Sequence, residues 1–268
     1  MGGHCKIILL LALVACRPVH QLSLPARKAD APGGDSIYRR IAAMKWDERE
    51  PLIEKEILAG NVPAFLKKFV RVHASVHDSA SGKTIHAYYL VAPDYLSAGG
   101  NDNWVRVPLT PMTAQRIADS LHCFLPTRKM VNDIYLQAKV VLEPVPLFAF
   151  RDSALVFWHH HLIIEGQRKG RAGLIAGIKK DVVISDKLTR SEKTDRVAIY
   201  GWHKLNGRPI QPLYTGHVNW YVDYSHGVRL VYRRIRVGKQ WMDYTEVMKH
   251  PVYRKLLCDE LHCDVTRY

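Results

Sequence analysis

The chain lacks the signatures by which several large enzyme classes announce themselves. Its 268 residues contain no G-x-G-x-x-G turn, no Walker loop, no G-x-S-x-G elbow and no H-E-x-x-H. Dinucleotide-binding, P-loop, α/β-hydrolase and zincin chemistry are thereby disfavoured. There is no internal repeat and no alternating strand-helix rhythm, so a solenoid or a doubly wound parallel sheet is not expected. Cysteine is scarce, five in all, and acids are outnumbered, 25 Asp and Glu against 39 Lys and Arg. No apolar run approaches the roughly 20 residues a membrane-spanning helix needs. An apolar content of 47% still supports a folded core.

The first sixteen residues carry Lys6 ahead of an apolar run, Ile7 to Ala15, and read as an export signal. The tetrapeptide Leu13-Val14-Ala15-Cys16 resembles the lipobox of bacterial lipoproteins. That resemblance implies acylation of Cys16 and a body tethered by lipid to the membrane of the cell envelope. Residues 17–35, rich in Pro, Gly and charge, are expected to form a flexible stalk, with a single α+β domain over 36–268. A net charge of +14 favours polyanionic surroundings. For an exported chain these are phospholipid head groups, wall phosphates and peptidoglycan carboxylates, and nucleic acid is not expected as a partner.

In an oxidising compartment Cys258 and Cys263 are placed to form a disulfide, the alternative being a free or metal-ligating pair with His262. Cys123 is left over and reads as a small core residue. Helices are expected over 36–45, 48–59, from about Thr113, over 127–141 and over 153–169. Val70, Val72, Ala74 and Val76 alternate with polar residues, so 68–77 and 83–92 read as a hairpin, with a short strand at 104–109. The second half changes character: strands are expected at 181–185, 196–202, 218–224, 228–237 and 240–242, with a turn at Arg236-Val-Gly-Lys239. A closing helix over 244–257 completes an α+β fold, a helical N-terminal half and an antiparallel C-terminal half.

Chemistry concentrates in residues 200–230. His203, His217 and His226 lie there among glycines and aromatics, beside the carboxylate of Asp223. Imidazole moves protons near pH 7, glycine admits a close ligand, and aromatic faces stack on sugars. His226 is the expected general base, Asp223 or His217 its orienting partner, His203 a second proton-transfer group and Arg229 an anion clamp. Trp202, Trp220, Tyr224 and Ser225 are the expected substrate-binding residues. No cofactor motif is legible. Zinc is the one metal to weigh, through His159, His161 and Glu165, the last four residues beyond His161 on one helical face.

Ser225-His226-Gly227-Val228-Arg229 resembles the Ser-His-Gly-Cys-x-Arg signature of L,D-transpeptidases, envelope enzymes that attack peptidoglycan stems with a cysteine. Ser225, His226 and Gly227 match residue for residue. Val228 stands where that family has its nucleophile and Arg229 arrives one position early, so the resemblance implies an envelope substrate without the thiolate chemistry. More widely, Lys179-Lys-Asp-Val-Val-Ile184, Ile199-Tyr-Gly-Trp-His203 and Tyr224-Ser-His-Gly-Val-Arg-Leu230 are similar to a family of uncharacterised secreted bacterial proteins with a lipoprotein-type signal. Two readings follow: a hydrolase or transferase acting on a wall polymer, or a non-catalytic lipoprotein binding such a polymer or a partner protein. Convergence of the three histidines in one pocket favours the first. Lipidation is testable by metabolic labelling with a palmitate analogue, whose incorporation is expected to vanish in Cys16→Ala; a mature chain that starts elsewhere and carries no label refutes it.

Overall fold

The computed structural model describes residues 21–190 and 192–268. The expected export signal, with Cys5 and the expected lipidation site Cys16, lies outside the described residues. Helices α1 (Gly34–Ile41) and α2 (Trp46–Leu58) come first, then the hairpin of β1 (Val70–Asp78) and β2 (Lys83–Val91), and a small pair, β3 (Ser97–Gly99) and β4 (Trp104–Arg106). α3 (Pro111–Ser120), β5 (Cys123–Phe124), α4 (Arg128–Gln137) and β6 (Val140–Val141) lead to α5 (Ala154–Arg168). The remainder holds β7 (Ile175–Ala176), β8 (Lys180–Val182), β9 (Ile199–His203), β10 (Pro209–Tyr214), β11 (His226–Gly227), β12 (Val231–Tyr232), β13 (Arg234–Val237) and β14 (Gln240–Asp243), then α6 (Tyr244–Lys249). The fold is mixed α+β.

Local chemistry sets several of these boundaries. Thr110, Thr127 and Ser153 each turn a hydroxyl onto a backbone N–H of the first turn of α3, α4 and α5, relieving donors that have no helical partner. In α5 the buried positions Phe157, His160, His161, Ile164 and Arg168 form one stripe at helical spacing. β1 and β2 pair from Val70↔Val91 to Asp78↔Lys83, with Val72 and Ala74 turned to the core. β2 is bordered on its other edge by β13 and β12, and this sheet continues through β14 and β5. The second sheet runs β10-β9-β8-β11, and its β8–β11 pair is parallel while its other pairs are antiparallel. One apolar core collects side chains from Leu22 through Cys263.

Three expectations need correction, and one strand was not expected. Residues 218–224 form no strand: Tyr221 turns back onto Val218, and the Asp223 carboxylate takes the N–H of Ser225, so local bonds displace a sheet ladder. The closing helix stops at Lys249 because Pro251 has no N–H to donate, and a 3-10 turn, Tyr253–Leu256, follows. β10 escaped notice because Pro209 and Pro212 interrupt its pattern; it lies at the sheet edge, where proline is tolerated. The strand expected over 228–237 is divided into β12 and β13 at Arg233, whose N–H goes to His122 instead.

Residues 21–35, expected to belong to a flexible stalk, pack against the domain. Gln21 bridges to Lys68, Leu22 donates to the Lys67 carbonyl at 2.7 Å and is buried, and Arg27 Nε donates to Asn61 Oδ1 at 2.7 Å. Prolines and glycines here serve a packed extended segment rather than a free linker. At the other end Cys258 and Cys263 are bridged, and Tyr268 donates its hydroxyl to the Val183 carbonyl. Cys123 is buried, with its thiol pushed up by burial, which leaves it an inert core residue. Because Leu22 belongs to the core, Leu22→Ala is expected to lower unfolding stability by about 2 to 4 kcal/mol in chemical denaturation. An unchanged midpoint there would mean that residues 21–35 behave as a stalk after all.

Candidate functional site

The second sheet positions part of the predicted site because β11 lies beside β8 in parallel, His226 opposite Lys180 and Gly227 opposite Asp181. Gly227 is required there, since a Cβ would collide with the Tyr95 ring and the Lys179 Cβ. The preceding turn is organised by Asp223, which is fully buried. Its Oδ1 accepts from the Ser225 amide at 2.8 Å and the Ser225 hydroxyl at 2.5 Å, and its Oδ2 from Arg151 at 2.8 Å and Tyr221 at 3.2 Å. Burial works to raise this carboxyl, but the attraction of His226, the Ser225 bond, Lys180 and Arg151 overrides it and holds it well below the ordinary carboxylate range.

His226 is 1% exposed, and neither ring nitrogen has a hydrogen-bond partner among the described residues. Its Nε2 lies 4.0 Å from Asp223 Oδ1, beyond a hydrogen bond. Burial pushes it down to about 4, so the ring is neutral at pH 7. Tyr221 stands edge-on to it, ring centres 5.9 Å apart, and also touches His217 at 4.5 Å. His217 is half-buried and its ring centre is 6.3 Å from that of His226. Two of the three histidines therefore converge with Asp223.

The third does not. His203 sits with Asn132, 3.1 Å away, and stacks on Tyr135 at 4.6 Å, both on α4. Its neighbour Trp202 meets Tyr224 and carries Lys180 over its ring at 5.2 Å. Successive side chains leave a strand on opposite faces, and the sequence spacing of 202 and 203 hid that separation. Trp202 also holds φ at +57°, a left-handed conformation that costs a residue of this bulk strain energy and is concentrated at functional sites.

Arg229 is not free to clamp an anion. It is completely buried, donates to the carbonyls of Ala92 at 2.9 Å and Ile175 at 2.7 Å, and lies over the Tyr95 ring. It fastens three segments behind the site. Tyr224 is likewise structural, exchanging hydrogen bonds with the Leu147 backbone. The zinc candidates separate: His159 is exposed, whereas His161 faces Arg106 at 3.3 Å and Glu165 pairs with the same guanidinium at 2.9 Å. No group of three or more metal-ligating side chains is assembled among the described residues.

Residues that the sequence did not single out support the site from below. Lys179, 2% exposed, donates to the Tyr224 carbonyl and faces His160 Nδ1 at 3.1 Å. Burial pushes its ammonium down to about 7. Beneath, Arg106 grips Asp94 with Nε at 3.0 Å and Nη2 at 2.6 Å. The one signal in the sequence was Lys179-Lys180-Asp181, three charges entering an apolar strand. Above, an open cleft of about 440 Å³ is lined by Trp46, Arg49, Asp152, Trp220 and Tyr221 among others. Tyr221 joins this cleft to Asp223 and His226. Of the expected substrate-binding residues, Trp220 lines the cleft and is 48% exposed.

Comparison with protein-family models, curated proteins and solved structures found no match to this chain. The geometry alone carries the functional argument.

Acid sensitivity follows from the buried imidazoles. Burial drives His160 and His161 down to about 2 and His203 and His226 to about 4, each from an unfolded value near 6.5. Below pH 6.5 the unfolded chain binds protons that the folded chain refuses, so stability falls as pH drops from 6.5 through 4. Asp181, raised to about 6 by burial against the pull of Arg229 and Tyr95, opposes this, as do Glu50, Asp133 and Glu260, which burial also raises, while His217, lowered by burial, adds to it. Thermal unfolding is expected to shift downward steadily between pH 7 and pH 4.5. A flat profile over that range would show that these rings are solvated.

Proposed function

We propose that the chain is an exported, lipid-anchored envelope protein that hydrolyses or transfers an amide or ester linkage in a wall polymer such as peptidoglycan. The observation that carries this reading is His226: a buried, neutral imidazole with both nitrogens unpartnered, beside an ionised Asp223 and behind a wall of the aromatic cleft. Unpartnered polar atoms at such depth call for a ligand or substrate group, and perturbed titratable groups beside a cleft mark functional sites. His226 takes the proton from an attacking water or hydroxyl and returns it to the leaving amine or alcohol. Asp223 stabilises the imidazolium formed between those steps, and His217, nearer the surface, relays protons. Ser225 is not the nucleophile, since its hydroxyl is given to Asp223.

A second reading, binding of an anionic wall polymer without turnover, draws support from that same commitment of Ser225. The two readings separate in one variant. His226→Gln should cut turnover of purified wall fragments by 100-fold or more while binding them as before, with folding followed by circular dichroism. Undiminished turnover in a folded variant removes His226 from the chemistry. Absence of turnover in the parent chain, with binding retained, leaves the second reading. Should His226→Gln fail to fold, Asp223→Asn tests the same proton path.

A further inference from the structure

The cleft beside Tyr221 contains a cation that the fold does not use up. Arg49, on the first turns of α2, is only 4% exposed, and arginine at that depth is ordinarily paired with a carboxylate. Its Nη1 donates to the Asp152 carbonyl at 3.0 Å and its guanidinium lies over the Phe157 ring at 4.8 Å. Its Nε is buried without a partner, and among the described residues no carboxylate oxygen lies within ion-pair distance. The adjacent acid, Glu50, is spent on Thr110, whose amide and hydroxyl it accepts at 2.8 and 2.6 Å. Asp152 lines the same cleft; its carbonyl accepts from Arg49, and its carboxylate, like that of Glu50, attracts the guanidinium without forming an ion pair.

Around this incompletely bonded guanidinium the cleft is aromatic. Trp220 is nearly half exposed, Trp46 and Tyr221 are half-buried, and Lys45 adds a second cation at the rim. An aromatic platform covers the apolar face of a pyranose ring, and a buried guanidinium forms strong, bidentate bonds to a carboxylate or phosphate. We propose that this cleft binds an anionic sugar of the envelope polymer, its ring against Trp220 and Trp46 and its carboxylate or phosphate on Arg49. This rests on the reading that the chain works on such a polymer, and it supplies the substrate class: a glycan bearing a negative charge at the sugar itself. Tyr221 then places that sugar one side chain away from Asp223 and His226.

Titration of the full chain with trigalacturonate, glucose 1-phosphate and the neutral chitotriose, read by tryptophan fluorescence and calorimetry, tests the assignment. At least one anionic sugar is expected to bind 10-fold or more tightly than chitotriose, the carboxylate and phosphate arms distinguishing which anion is the ligand. Arg49→Gln is expected to abolish that preference and Arg49→Lys to keep part of it, and Trp220→Ala should weaken all binding several-fold. Equal affinity for chitotriose, no binding of either anionic sugar, or unaltered preference in a folded Arg49→Gln overturns the proposal. If the Arg49 variants do not fold, Trp220→Ala decides alone, because it changes only an exposed side chain and unaltered affinity refutes the cleft. Selective sugar binding without turnover would sink the catalytic reading and leave this one standing, whereas turnover indifferent to Arg49 would do the reverse.

Discussion

A backbone carbonyl buried away from water must meet a donor, and for Tyr224 that donor is the ammonium of Lys179. Everything distinctive about the site hangs on this bond. It holds the turn in which Asp223 folds back on Ser225, and that turn aims His226 into β11 alongside Lys180. His160 of α5 faces the same ammonium from the other side, so a helix, a strand and a turn are referred to one nitrogen. Without it the turn has a bare carbonyl in an apolar interior, a loss of order 1–3 kcal/mol before any packing is counted.

Lys179 is one of several cations taken inside, and each brings its own compensation. Arg106 has Asp94 and Glu165, Arg229 has two carbonyls and the face of Tyr95, and Asp181 bonds Tyr95 in turn. Removing one partner from such a pair typically costs 3–5 kcal/mol, because the survivor is left charged and dry. Against that background the incomplete bonding of Arg49 and the bare imidazole of His226 stand out. Arg49 lines the cleft, and His226 lies behind Tyr221, which lines it too.

The elements legible in the sequence were those whose pattern is local. Capped, amphipathic stretches gave α3, α4 and α5 within a few residues, strict alternation gave the β1–β2 hairpin, and the Gly238-Lys239 turn joined β13 to β14. What escaped depended on contacts distant in sequence or on side chains overriding propensity. Val218–Tyr224 has the composition of a strand, yet an Asx bond at Asp223 outcompetes pairing. Residues 21–35 look like a linker until Leu22 finds the core. The site divided in the same way: His217, Asp223 and His226, close along the chain, lie together, whereas His203 packs against α4 and Arg229 is committed to backbone carbonyls. Arg49 went unremarked, and Lys179 was given no role, because a basic residue reads as surface and only burial changes that meaning.

The parallel pairing of β11 with β8 has a kinetic side. β8, β9 and β10 form a meander, each strand reaching its neighbour through the chain just made, whereas β11 must return across everything between residues 180 and 226 to lie on the far edge of β8. Closing that loop costs about 3 kcal/mol more entropy than closing a two-residue hairpin, and it is repaid only when the Tyr95 ring, the Lys179 stem and Gly227 fit together. His226 is thus carried by the strand whose arrival is hardest to secure. A chain with its hairpins formed and this one pairing missing lacks His226 beside Lys180 and Gly227 beside Asp181, so the arrangement around His226 is a property of the completed topology.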